Sequence, residues 1–467
     1  MRHVAREDLP VVVIGAGPVG LAAAAHLLER GLEPLVLEAG AGPGAAISSW
    51  GQVRLFSPWR YDIDDAAARL LEPTGWIRPD LDALPTGTEL VTHYLVPLAQ
   101  TEAIATRLRT GTRVVAVARD GADKTHSLGR ERRAYRVRTV DAGGAVADLL
   151  ARAVIDASGT YGQSNPLGVS GLPAAGEDDA AQFLTGPLPE VLGTDRARFA
   201  GRHTLVVGMG HSAANTLLSL VELAASEPAT TITWAIRGGS ARRLFGGGTD
   251  DELPARGLLG TRLKGAVEAG QLRLLTRVSI EKVVPGPESV RVLGAAREDT
   301  LELDVHSIVN ATGFRPDLDM LREVRLDLDP VVEAPTALAP LIDPNQHSCG
   351  TVPPHGERVL AHPDEGFYLA GMKSYGRAPT FLLATGYEQV RSIAAALAGD
   401  RAGADAVELA LPATGVCSSD LALEADDSGV AGSCCGSAPT GPQPVTLGAG
   451  VGVGFATGMA HGRSGDL

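Results

Sequence analysis

Apolar residues in this chain gather in short unbroken runs that end at glycine and give way to stretches of helical periodicity. The first run is Val11-Val12-Val13-Ile14. It is followed by Gly15-Ala16-Gly17-Pro18-Val19-Gly20, a helical stretch over 21–29, and a second strand, Pro34 to Leu37, that ends in Glu38. Four branched residues bounded by glycine predict a strand buried on both faces, as parallel sheets require. The pattern recurs about 190 residues further on. There Thr204-Leu205-Val206-Val207 runs into Gly208-Met209-Gly210-His211-Ser212-Ala213, a helix over 212–223, and a strand over 231–236 that ends in Arg237. Two such units predict an α/β protein with two Rossmann-like domains.

The intervening segments fix the connectivity. Strand-like stretches occur at 114–117 and 135–138. The apolar strand 153–156 leads into Ala157-Ser158-Gly159, and the run Ser307-Ile308-Val309-Asn310 leads into Ala311-Thr312-Gly313. These two Ala-(Ser/Thr)-Gly segments close their units at matching positions, which predicts one domain inserted into another. A last strand, 367–370, precedes Gly371, a loop over 372–379 and a helix from Thr380 to Leu397. The division is therefore 1–165 for the first part of one domain, 166–198 for a linker, 199–318 for the inserted domain and 319–400 for the returning part. The remainder, 401–467, is a low-complexity tail. From 423 onward it is mostly Gly, Ala, Ser and Pro, with too little apolar surface to order itself, and is expected to be flexible.

The turns carry the chemistry. Gly15 and Gly208 permit the tight turn, Gly17 and Gly210 let the backbone approach a pyrophosphate, and Gly20 and Ala213 are small enough for helix to pack on strand. Phosphates then rest on N–H groups at a positive helix end. Glu38 lies 23 residues after Gly15, near the ~20-residue spacing of a carboxylate that holds a ribose hydroxyl. The second unit has Arg237 at this point, with Arg242 and Arg243 close behind. A guanidinium there favours a 2′-phosphate and an acid would repel it. The chain thus reads as an enzyme holding FAD at the first turn and NADPH at the second, with Thr312 and Gly313 closing the second site.

Composition narrows the setting. With 44% hydrophobic and 21% charged residues the chain is ordinary globular material. A net charge of −14 argues against nucleic acid and anionic membrane surfaces. Residues 11–28 are apolar enough to suggest a membrane span, but the embedded glycines and Pro18 fit the strand–turn–helix better. A cytoplasmic protein is expected, and a homodimer is compatible with it. The four cysteines, Cys349, Cys417, Cys434 and Cys435, are too few for a disulfide scaffold.

These motifs resemble the two-dinucleotide-binding-domain flavoproteins, the superfamily of flavin-containing monooxygenases and thioredoxin-reductase-like enzymes. Phe199-Ala200-Gly201-Arg202 is similar to the entry into the second strand in monooxygenase members. Ile47-Ser48-Ser49-Trp50 falls where they carry Gly-Gly-x-Trp, and 50–58 resembles their flavin-facing loop. The stretches 347–355 and 371–380 look like flavoproteins encoded with arsenic-resistance genes. The full Phe-x-Gly-x-x-x-His fingerprint of monooxygenases is missing, because His203 follows Gly201 too soon. The redox cysteine pair of disulfide reductases is missing too, since no cysteine precedes Cys349. The family's Gly-Asp before the last flavin helix is Gly371-Met372 here.

The resemblance implies FAD reduced by NADPH, and molecular oxygen with a small molecule as substrates. Trp50 is the catalytic candidate it brings. Lys373 and Arg377 are further candidates that add positive charge near a reduced flavin, as is the helix end at Thr380. Cys417, Cys434 and Cys435 suit a soft ion as thiolates. A site at His347, Cys349 and His355 has no recognised ligand spacing. The leading reading is a monooxygenase acting on a small soft nucleophile such as a trivalent arsenical. An NADPH-dependent reductase of a disulfide, quinone or metal species is the second. A flavin sensor or soft-metal-binding protein is the third.

Overall fold

The computed structural model describes residues 6–245, 254–343, 352–378 and 381–409. The strands follow the apolar runs. β1 (Val11–Ile14), β2 (Pro34–Leu37) and β3 (Leu108–Arg109) are succeeded by an antiparallel meander, β4 (Thr112–Arg119), β5 (Tyr135–Asp141) and β6 (Val146–Ala151). β7 (Ala153–Asp156) then closes the unit. After β8 (Leu184–Thr185) the order repeats. β9 (His203–Val207), β10 (Thr231–Ala235) and β11 (Arg273–Leu275) precede a second meander of β12 (Val278–Pro285), β13 (Val290–Ala296) and β14 (Asp299–Val305). β15 (Ser307–Asn310) closes that unit, and β16 (Phe367–Leu369) comes last.

Two parallel five-stranded sheets result, ordered β16-β7-β1-β2-β3 and β8-β15-β9-β10-β11. They are the same arrangement twice. In each, the glycine-ended strand sits at the centre, with the Ala-(Ser/Thr)-Gly strand on one side. The chain leaves the first sheet after β7 and returns to it at β16, so the second unit lies within the first in sequence. The edge strand β8 comes from inside 166–198, so part of that expected linker belongs to the second sheet.

Burial explains why these runs become strands and helix. All four residues of β1 and of β7 are buried. The helix Pro18–Glu29 keeps Leu21, Ala22, Ala23, Ala24, Ala25 and Leu27 at 0% exposure. It is apolar all round because the sheet and the helix Leu383–Leu397 pack on it, and its alanines allow both to come close. The meander β4–β6 is tied to the last strand by charge. Arg130 donates to both oxygens of Asp364 at 2.7 Å, and Arg119 lies over the Tyr135 ring while donating to the Glu365 carbonyl at 2.7 Å. Among the described residues, no helix is long and apolar enough to cross a membrane.

Candidate functional site

Each glycine turn is shaped by a neighbouring loop that crosses it. Gly15 has φ +100°, and a Cβ there would stand 2.9 Å from the Ala157 carbonyl oxygen and 3.1 Å from Ser158 Cα. Gly208 has φ +133°, and a Cβ there would overlap the Ala311 carbonyl. Both positions therefore demand glycine for conformation and for space. Gly20 is closed as well, since a Cβ would overlap the Gly15 carbonyl oxygen, and Ala213 is fully buried. Gly17 and Gly210 differ: nothing stands within 4 Å of a Cβ at either. Room is left at the second glycine of each turn, where a pyrophosphate has to approach.

The other wall of the first site comes from the returning chain. Gly371 has φ +66°, donates its N–H to Gln389 Oε1 at 2.8 Å, and sits so close to Val19 that a Cβ would reach its side chain at 3.2 Å. Buried His355 stands behind Gln389, with Nε2 2.9 Å from the amide nitrogen. Glu38 accepts the N–H groups of Ala16 and Gly40, both at 2.7 Å. A carboxylate has about four acceptor positions, so capacity for ribose hydroxyls remains. Conformation, space and acceptors all fit a dinucleotide.

In the second unit, Ser240, Arg242, Phe245, Lys264 and Thr276 line a cavity of about 580 Å³ beyond the end of β10. Arg237 is not among them. Its Nη2 donates to the carbonyls of Gly168 at 2.8 Å and Pro166 at 3.2 Å, so it fastens the preceding segment to the sheet. Arg242 and Lys264 are the cations that line the cavity, while Arg237 remains exposed with only its Nη2 engaged among the described residues. Thr312 donates toward the Asn165 carbonyl and Asn310 Oδ1, both at 2.7 Å, and Gly313 adopts φ +93° beside it.

The three expected catalytic residues lie in different surroundings. Lys373 is fully buried and paired with equally buried Asp156 at 2.7 Å, so its charge is compensated inside the protein. Arg377 pairs with Glu333 at 2.8 Å at the surface. Trp50 packs its ring against Gly87, where a Cβ would lie 3.0 Å from it. The last long helix starts at Leu383, and Thr380 lies outside the described residues, as do His347 and the four cysteines. No group of three or more His, Cys, Asp or Glu able to hold a metal occurs among the described residues. The loop 50–58 does reach the second unit: Phe56 meets His211 edge-on with ring centroids 5.1 Å apart, and Gln52 donates to the Leu188 carbonyl at 3.0 Å. It thereby borders the second glycine turn.

A profile of the pyridine nucleotide-disulphide oxidoreductases matches residues 12–349. The chain belongs to that family. It is accordingly an enzyme, a flavin-dependent oxidoreductase with two dinucleotide sites. No curated protein matches its sequence. Among solved structures, bacillithiol disulfide reductase Bdr from Bacillus cereus is similar at 19% identity and TM-score 0.62, covering 84% of this chain and 99% of its own. The cadaverine monooxygenase DfoA of Erwinia amylovora, bound to FAD, is similar at 14% identity and TM-score 0.58, covering 87% and 98%. A flavin-containing monooxygenase from Stenotrophomonas maltophilia is similar at 22% identity and TM-score 0.53, covering 84% and 98%. At these identities the likeness establishes this family's fold.

Sequence reasoning missed Asp62, which no motif marks. It is fully buried; Ser57 donates to Oδ1 at 2.7 Å, and Oδ2 has no partner. The Tyr387 hydroxyl donates to its carbonyl at 2.6 Å, and Tyr94 and Asp64 lie in the same buried group. Burial pushes the Asp62 carboxyl up to about 7 from 3.8, with Ser57 opposing. Folding therefore retains a proton that the unfolded chain releases. The proton-linked stability is complete below the unfolded value and is lost as pH rises through about 7. His362 works the other way: burial lowers it to about 4, so acidification costs stability.

Two outcomes follow. Asp62→Asn isolates the first effect: its stability relative to the parent, measured by urea unfolding, should rise by up to about 4 kcal/mol between pH 4 and pH 7 and then level off. A pH-independent difference contradicts the protonation. Gly17→Val should fold normally yet purify without flavin, because its side chain enters open space meant for ligand. Gly20→Val should lose stability instead, through overlap with the Gly15 backbone. Flavin content and melting temperature of the pair are the check, and full flavin content in Gly17→Val contradicts the placement.

Proposed function

We propose that the chain is an FAD- and NADPH-dependent monooxygenase acting on a small soft nucleophile, such as a thioether, selenide or trivalent arsenical. In this reading residues 1–165 and 319–400 hold FAD, and 199–318 hold NADPH. The observation that carries it is chemical: no cysteine precedes Cys349, so the flavin domain's first part has no thiol pair to receive electrons. When bound, the two groups supply hydride transfer and activation of oxygen. The chain's own work is to position them. The glycine turns hold the pyrophosphates on helix ends, and Glu38 orients a ribose. Phe56 against His211 keeps the loop 50–58 beside the nicotinamide half. Burial around Tyr375 and Phe381, whose rings meet edge-on at 5.1 Å, supplies an apolar wall on the returning part.

Likeness to a bacillithiol disulfide reductase supports the second reading, electron transfer to a disulfide. Labelled dioxygen separates the two. The monooxygenase incorporates one labelled oxygen atom into the nucleophile with NADPH oxidised in equal amount. Thiol release from a disulfide without oxygen uptake contradicts it.

The NADPH preference is supported by the cavity beyond β10. A charged hydrogen bond to a phosphate is worth about 1.5–3 kcal/mol, or roughly ten- to a hundredfold in specificity. Arg242→Ala should lower the kcat/KM ratio for NADPH over NADH by about tenfold or more. Arg237→Ala should lower the melting temperature and leave that ratio near its starting value. The opposite pattern returns the phosphate contact to Arg237.

A further inference from the structure

Both units close with the same local device. In the second, Asn310 Oδ1 accepts the Thr312 N–H at 3.2 Å and its hydroxyl at 2.7 Å. In the first, Asp156 Oδ1 accepts the Ser158 N–H at 3.1 Å and its hydroxyl at 2.6 Å. A difference lies behind them. The second copy is completed by a backbone carbonyl, that of Asn165. The first is completed by a buried cation: Lys373 Nζ donates to Asp156 Oδ2 at 2.7 Å and to Ser158 Oγ at 3.0 Å.

This fixes the polarity of one hydroxyl. An ammonium only donates and a carboxylate only accepts. Ser158 must therefore give its proton to Asp156 and take one from Lys373. One lone pair is left. Lys373 and Asp156 are fully buried, whereas Ser158 is exposed, so it is the member of the triad that a ligand can meet. Its Cα would stand 3.1 Å from a Cβ on Gly15, which puts it on the rim of the first glycine turn.

We propose that Ser158 is a positioning residue for the flavin dinucleotide, an acceptor locked in orientation by the Lys373–Asp156 pair, receiving a hydroxyl or amine hydrogen of the ligand. The inference rests on the assignment of FAD to the first turn. The ion pair acts on the ligand only through Ser158, and this is the role of Lys373 near the cofactor. Thr312 has no such cation behind it: its single hydroxyl proton faces two acceptors, Asn310 Oδ1 and the Asn165 carbonyl.

The test is FAD affinity of the full-length protein freed of flavin, read by quenching of flavin fluorescence, with the melting temperature of the flavin-free protein as a separate readout. Ser158→Ala should weaken FAD about five- to tenfold, the worth of one oriented hydrogen bond, with a separate lowering of the melting temperature of the flavin-free protein from the bonds lost to Asp156 and Lys373. Ser158→Thr should restore affinity to within about twofold. In a Lys373→Met, Asp156→Leu background, which removes both charges together, adding Ser158→Ala should change affinity less than about twofold, because the hydroxyl has lost its fixed orientation. Unaltered affinity in Ser158→Ala overturns the acceptor role, and an equal loss in both backgrounds overturns the locking by Lys373. If that double-charge variant does not fold, a Lys373→Gln, Asp156→Asn background, which removes both charges and stays close to their size, replaces it. Absence of FAD binding by the unaltered protein overturns the flavin reading itself, a result distinct from either.

Discussion

Two backbone crossings organise this protein. Where the Ala157-Ser158 backbone passes Gly15, and where Ala311-Thr312 passes Gly208, the space left is smaller than a methyl group. Only glycine in a left-handed or extended conformation can turn the chain there. The helix that follows is then aimed with its positive end at the carboxyl edge of the sheet. The parallel order of the strands, the burial of the alanine-rich helix and the emptiness beside Gly17 and Gly210 all depend on this crossing. Any side chain at the first glycine would push the closing loop away from the site it walls.

Charge is used differently in the two halves. Around the first turn, cations are internal: Lys373 meets Asp156, and Arg130 meets Asp364, each buried and each with hydrogen bonds completing the pair. Such pairs add little net stability over an apolar equivalent, yet they are costly to break one partner at a time. Their value is in orientation. They hold the returning chain and the meander β4–β6 in one register against β7 and β16. Around the second turn, Arg242 and Lys264 line a cavity instead.

What the sequence shows of this arrangement follows from locality. β1, β2, β7 and β15 are legible because strands buried on both faces must be unbroken apolar runs, and the turns are legible because steric demand selects glycine. Glu38 is legible from spacing. β6 is not, since four of its six residues are exposed and its sequence has no alternation to show. Edge strand β8 is two residues long and hides in a segment rich in glycine and proline. Lys373 and Arg237 read as ligand cations from their types alone. Their partners, 217 and about 70 positions away, exist only after folding. Asp62 carries no local signal at all, because its proton is a consequence of burial by Tyr387 and its neighbours.

The central claim is that both turns hold dinucleotides and that electrons pass from the second to the first. Anaerobic titration of the purified protein with NADPH tests it most directly, following the visible absorbance of bound flavin. The account predicts one FAD per chain and its complete bleaching by about one equivalent of NADPH, with NADH far less effective at equal concentration. A protein that carries no flavin, or whose flavin neither nicotinamide reduces, contradicts it.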